Sequence, residues 1–203
     1  MPPITVAHIE HALSSHRASR VPLGGFMKQA AVAAIVRDGG GGAELLLIRR
    51  SEREGDPWSG HIAFPGGRVE PGEEPDEAVV RETREEIGLD LRRAARPLGG
   101  LADVMAKAHG KPLPLIVRPF VFALPAGDAR GDEGAPFSPN SEVQEVMWVS
   151  LAYLQERGNR GTLVWRIAGL PIELPCYRFG GGDHVLWGLT LKMVDELLAV
   201  VEG

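Results

Sequence analysis

The chain has 203 residues, 44% hydrophobic and 24% charged, which suffices for one domain with a sizeable core and excludes a disordered or fibrous chain. A net charge of −5 gives no broad basic field for nucleic acid held along its phosphates, and no apolar run reaches membrane-spanning length. The single cysteine, Cys176, has mostly apolar neighbours and reads as a buried, inert thiol; with no leader after Met1, this predicts a cytoplasmic protein.

In chain order, Ile4 to His16 predicts a short amphipathic helix, so residues 1–25 read as a helix and linker ahead of a single domain over residues 26–203. His8 and His11 stand three apart, but with no cysteine and no third ligand nearby they read as a helix face rather than a zinc pair. Ala30 to Val36 and Glu44 to Ile48 are strand-like, and Gly39 to Gly42 between them suit a hairpin loop. No glycine loop ends in Gly-Lys-Ser/Thr, so nothing there cradles a phosphate.

The informative stretch follows Gly55. Phe64-Pro65-Gly66-Gly67 predicts a tight turn that brings backbone close to its surroundings, and Glu74 to Ile87 predicts a helix stopped by Gly88. Within that helix Glu82, Glu85 and Glu86 lie on one arc at i, i+3 and i+4, beside an apolar stripe of Val79, Val80, Thr83 and Ile87. The wheel puts Glu77, Arg81 and Arg84 on the far side, with Arg81 in reach of Glu73 across the loop. Carboxylates crowded at a core boundary repel one another unless a cation neutralises them, and a hard divalent ion with oxygen ligands is the natural partner; a solvated acidic face is the alternative.

Gly67, Glu73, Arg81, Glu82, Glu85, Glu86 and Gly88, followed by Leu89, stand at the spacings of the Nudix box, and the chain resembles that family. Thr83 is the one departure, at a position where an aliphatic residue is usual. The resemblance implies an α/β (α+β) fold with a mixed sheet sandwiched between helices. It implies hydrolysis of a small-molecule nucleoside diphosphate derivative with Mg²⁺ or Mn²⁺, held by Glu82, Glu85, Glu86 and the Gly67 carbonyl. The oligomeric state, homodimer included, stays open.

Leu46 to Ser51, Gly60 to Gly67, Val117 to Phe122, Glu142 to Val149 and Leu186 to Thr190 are similar to the coenzyme A pyrophosphatase branch of the family. That similarity implies coenzyme A or acyl-coenzyme A as substrate, with Arg49, Arg50 and Arg53 as cations for its phosphates. ADP-ribose, nucleotide sugars and dinucleotides are alternatives, as is a noncatalytic nucleotide-binding regulator. The branch signature is altered: Ile48 replaces a usual Thr, His61 a common Gln, and the loop from Arg50 to Gly60 is longer. Glu85, Glu86 and, beyond the box, Glu145 are the candidate catalytic carboxylates, Glu142 being the lesser one. Asp128 to Ser141 reads as a mobile loop, Trp187 to Val201 as a terminal helix packed on the core, and neither His109 nor His184 acquires a role.

Overall fold

The computed structural model describes residues 3–203 apart from 23, 25–26, 57, 109–110, 126–136 and 168–169, with backbone alone for residues 107, 108, 111 and 167. His109 and the 128–136 part of the expected mobile loop therefore lie outside the described residues. The elements run α1 (Val6–Ser15), β1 (Lys28–Gly39), β2 (Gly42–Arg50), β3 (Ile62–Ala63), β4 (Gly66–Arg68), α2 (Pro75–Ile87), α3 (Leu91–Ala94) and β5 (Arg96–Gly100). Then come β6 (Val104–Ala108), β7 (Lys111–Ala123), β8 (Val143–Ser150), α4 (Leu151–Gln155), β9 (Arg160–Ile167), β10 (Leu170–Phe179), β11 (His184–Trp187) and α5 (Gly188–Glu202).

Strand β1 organises the molecule. It pairs antiparallel with β2 through the predicted hairpin and parallel with β7, within an eight-stranded mixed sheet of order β3-β2-β1-β7-β5. Strands β4, β6 and β8 add to β1, β7 and β2 respectively. Its apolar run is buried on both faces because helices cover both. Ala31, Ala33 and Ile35 pack with Ala78, Val79 and Ile87 of α2, while Ala30, Ala34 and Val36 share the other core with α1 and α5. The mixed sheet between helices is the architecture the sequence predicts.

Helix α1 buries Val6, Ile9 and Leu13, so the N-terminal segment contributes to the main core. His8 acts as part of its cap: the Thr5 hydroxyl accepts the His8 N–H at 3.3 Å, and His8 Nδ1 accepts the Thr5 N–H at 3.4 Å. At the other end the sequence expectation needs adjustment. Trp187 ends strand β11, and the helix starts one residue later, burying Leu191, Val194 and Leu198 as expected. Strands β9, β10 and β11 form a separate antiparallel sheet.

Asp103 fastens the linker after α1 to the sheet. Its buried carboxylate accepts two hydrogen bonds from Arg118, both 3.0 Å, one from Arg20 at 3.1 Å and one from the Val21 N–H at 3.1 Å. Burial pushes its pKa up, but the Arg118 and Val21 hydrogen bonds and the two arginine charges outweigh this and hold it below the ordinary value of 3.8. The stabilisation is therefore present above the unfolded-state pKa and is lost as pH falls through the lower folded-state value. Asp103→Asn should cost about 2 kcal/mol or more at pH 7. Urea unfolding against pH should show that deficit shrinking below about pH 4.

Candidate active site

The site is assembled where β4 approaches β1 and α2 begins. Gly66 has φ 141°, and a Cβ there would lie 2.2 Å from the Ala31 carbonyl oxygen and 2.6 Å from Val32 Cα, so only glycine lets the two strands pair. The chain then turns through residues 69–74 into α2, where Pro75 takes the first turn and the Glu74 N–H donates to Glu77 Oε2 at 3.2 Å.

Because Ala78, Val79 and Ile87 bury one side of α2, Glu86 is carried inward beside them to 2% exposure. Its Oε2 accepts the Gly66 N–H at 2.8 Å, and Arg50 Nη1 stands 3.9 Å from Oε1. Burial pushes the Glu86 pKa up to about 7, against the opposing pull of the Gly66 hydrogen bond and the Arg50 charge. Glu82 is also raised by burial, in spite of its hydrogen bond from Arg81. Glu142 adds a like charge that raises both.

Arg81 is not on the far side of the helix, as the wheel expectation had it. Its long side chain folds back along α2. It pairs with Glu73 through two bonds of 2.9 and 3.0 Å and donates to the Arg68 carbonyl at 3.0 Å. It also reaches Glu82 at 3.0 Å and Glu85 at 3.4 Å. The expected Glu73–Arg81 pair is thus present, and the hydrogen bond from Arg81 holds Glu73 below its ordinary value. Arg81 acts as an internal cation shared by three carboxylates.

As they stand, no three His, Cys, Asp or Glu residues among the described ones form a ready metal cage. The donor set nonetheless fits a hard divalent ion. It is made only of oxygens, burial raises the proton affinity of Glu82 and Glu86, and a cation already neutralises Glu82 and Glu85. The Glu82 carboxyl lies directly over Gly67, where a Cβ would come within 2.4 Å of its Cδ.

The other sequence-predicted residues separate by sheet face. Arg50 lies on the α2 side, donates to Asp56 Oδ2 at 3.0 Å, and has a buried Nε without a partner among the described residues. Arg53 is tied to Glu142 Oε1 at 2.9 Å and to Ser141 Oγ at 3.3 Å. Arg49 and Glu145 are cross-strand partners on β2 and β8, on the face that carries Leu45 and Leu47 into the other core. Glu145 Oε2 meets His184 Nε2 at 2.8 Å, a partner that sequence reasoning missed. Glycine at 180 leaves room for that ring, since a Cβ there would lie 2.1 Å from His184 Nδ1. His61, beside Arg50 and Asp56, has its pKa lowered chiefly by burial, so its ring is neutral at physiological pH.

A loop, helix and loop carry a buried carboxylate and its acidic neighbours beside a mixed sheet. The NUDIX domain family matches residues 27–165, and the chain belongs to it. A MutT/nudix family protein from Enterococcus faecalis superposes with a TM-score of 0.51 at 17% identity, covering 97% of this chain and 67% of that one, a likeness of fold. The chain is 31% identical to the human mitochondrial coenzyme A diphosphatase NUDT8 over 160 residues, 77% of its own length and 62% of the human protein's. A 46-residue stretch is 52% identical to the ADP-ribose pyrophosphatase of Methanocaldococcus jannaschii, covering 23% of this chain and 25% of that protein. The chain thus spans less than two thirds of the length of these two relatives.

Gly67→Ala tests the packing of the carboxylates. The new methyl displaces the flexible Glu82 side chain rather than backbone, so the melting temperature should change little. Affinity for Mn²⁺, read by isothermal titration calorimetry, should fall by about tenfold or more, as the Glu82 carboxyl is moved out of place.

Proposed function

We propose that the protein hydrolyses the diphosphate bond of nucleoside diphosphate derivatives, with coenzyme A or acyl-coenzyme A as the preferred substrate. The observation that carries this reading is Glu86: a carboxylate buried beside Arg50 and the Gly66 N–H, within a helix bearing the family's box. A module that only bound nucleotide would have no use for a charge so costly to bury, which weighs against the regulator reading.

In this reading Glu82, Glu85, Glu86 and the Gly67 carbonyl hold Mg²⁺ or Mn²⁺. Such an ion, when bound, neutralises diphosphate charge and acidifies water. Arg50 offers its partly exposed guanidinium to a phosphate oxygen, and Arg53 can exchange Glu142 for the same purpose. For the carboxylate that takes the proton from the attacking water, the field of Glu142 on Glu82 and Glu86 favours Glu142 or Glu85 over Glu145, which is engaged by His184. The similarity to NUDT8 supports coenzyme A, while the short archaeal match keeps ADP-ribose as the second reading. The buried free thiol of Cys176 suits a reducing compartment, of which the cytoplasm is our reading. Among the described residues no helix is long and apolar enough to cross a membrane.

The test combines substitution with a substrate panel. Glu86→Gln should lower turnover by about 10²-fold or more, since it removes one charged ligand at the reacting phosphate. Without added ion at pH 8 it should be at least as stable as the parent. The raised pKa of Glu86 means that ionisation opposes folding increasingly as pH climbs from 4.5 to about 7, and glutamine escapes this. Mass spectrometry of products from coenzyme A, acyl-coenzyme A, ADP-ribose and NADH should give 3′,5′-ADP from the first two. Preferential cleavage of ADP-ribose would overturn the substrate assignment, and no cleavage of any would overturn the enzymatic one.

A further inference from the structure

Asp56 sits within the loop between Arg50 and Gly60, and that loop is knit around it. Its Oδ1 accepts the Trp58 N–H at 2.9 Å, and its backbone carbonyl accepts the Ser59 N–H at 3.1 Å. The Ser59 hydroxyl in turn accepts the Arg53 N–H at 2.8 Å, and Trp58 packs against the main core. The Arg50 N–H closes the loop on the His61 carbonyl at 3.0 Å. The Asp56 carboxylate is therefore fixed by neighbours that lie outside the carboxylate cluster of α2. Burial pushes its pKa up, but the Trp58 hydrogen bond and then the hydrogen bond and charge of Arg50 outweigh this and hold it below the ordinary value of 3.8.

The second oxygen, Oδ2, accepts Arg50 Nη2 at 3.0 Å. On its other side the same guanidinium faces Glu86, with Nη1 standing 3.9 Å from Oε1, beyond hydrogen-bond length. Arg50 Nε has no partner among the described residues, so the bond to Asp56 decides where the guanidinium points. His61 does not compete for Asp56, because burial keeps its ring neutral at physiological pH. Released from Asp56, Nη1 would need to move only about 1 Å to close on Glu86. The Glu86 side chain is 3% exposed, and a pair formed there is weakly screened by solvent.

We propose that Asp56 is a positioning residue: it holds Arg50 back from Glu86, so that the Glu86 carboxylate stays open to a divalent ion. The proposal rests on the hydrolase reading above and adds a residue to its site. Asp56 is not itself a ligand, since its two oxygens accept the Trp58 and Arg50 N–H groups. Its effect on the ion passes through Arg50: a guanidinium hydrogen-bonded to Glu86 would occupy the carboxylate that the ion needs.

A double-mutant cycle on Mn²⁺ affinity, measured by isothermal titration calorimetry at pH 8 without substrate, tests this. Asp56→Asn keeps an acceptor for the Trp58 N–H but removes the charge that holds Arg50, and Mn²⁺ binding should weaken about tenfold. In the Arg50→Gln background no guanidinium can close on Glu86, and there the same substitution should change the affinity by no more than about twofold. Arg50→Gln alone should bind Mn²⁺ at least as tightly as the parent. A loss of equal size in both backgrounds would overturn the proposal, because a charge acting through space, a direct ligand or a collapsed loop would each act whether or not Arg50 is present. An unchanged affinity in Asp56→Asn would overturn it too. Hydrolysis of coenzyme A by the parent, followed in parallel with Mn²⁺, separates this proposal from the reading it rests on. The expected coupling without any hydrolysis would overturn the enzymatic reading and leave the positioning role standing, whereas a parent that binds no Mn²⁺ would overturn both.

Discussion

The Glu86 carboxylate against the Gly66 N–H is the contact on which the candidate site depends. It joins α2 to the β4 turn, and β4 in turn can lie on β1 only because Gly66 has no side chain. A charge-assisted hydrogen bond contributes about 1.5–3 kcal/mol, whereas burying a carboxylate costs several. Arg50, at 3.9 Å and shared with Asp56, does not close that gap, and the raised pKa of Glu86 expresses what remains. A group held in this state gains most from a cation that arrives with a ligand.

Arg81 solves the same problem differently for the outer carboxylates. Its two bonds to Glu73 and one to the Arg68 carbonyl fix the guanidinium, and the remaining reach covers Glu82 and Glu85. Entry of a divalent ion would exchange these last two contacts for ionic ones while the Glu73 pair keeps the loop on the helix. The cost of such an exchange is small, since partly exposed ion pairs contribute about 0–1 kcal/mol. The carboxylates thus sit in different surroundings: burial raises both Glu86 and Glu82, while Arg81 is shared by Glu82 and Glu85.

Periodicity made much of this legible. The β1–β2 hairpin, α2 with its apolar stripe, the Gly88 stop and the Glu73–Arg81 pair all follow from local spacing, because each is fixed by residues close in sequence. The separation of Arg49 from Arg50 was also available, since neighbours on a strand face opposite ways. The roles of Glu142 and Glu145 were not. Glu145 meets His184 while Glu142 meets Arg53, and the register shift between the pairs Arg49–Glu145 and Arg50–Val143 that lies between them leaves no trace in composition. His184 meets Glu145 across 39 residues of chain, a distance at which only the fold decides. The wheel misplaced Arg81 because it assigns a direction to Cα, and a side chain this long can cross to the next face.

The division of the molecule into a charged and an apolar half follows from how its two sheets are covered. The large sheet needs α2 on one face, and the box on that helix brings the carboxylates with it. The small sheet gives Tyr177 and Leu186 to the core on its inner face, while Cys176 and Trp187 lie on the other. Where that sheet extends past the core as the β9–β10 hairpin, the alternation continues and apolar side chains are exposed on both sides, Leu170 and Ile172 on one and Val164 on the other. The loop ending at His61 lies between these halves, hydrogen-bonded to Arg50 on one side and packed against Trp187 on the other. The altered loop from Arg50 to Gly60 and the histidine in place of a common glutamine both fall at this junction. Two of the departures from the branch signature therefore fall where the charged site meets the aromatic cluster, while the carboxylate helix departs from its pattern at Thr83 alone.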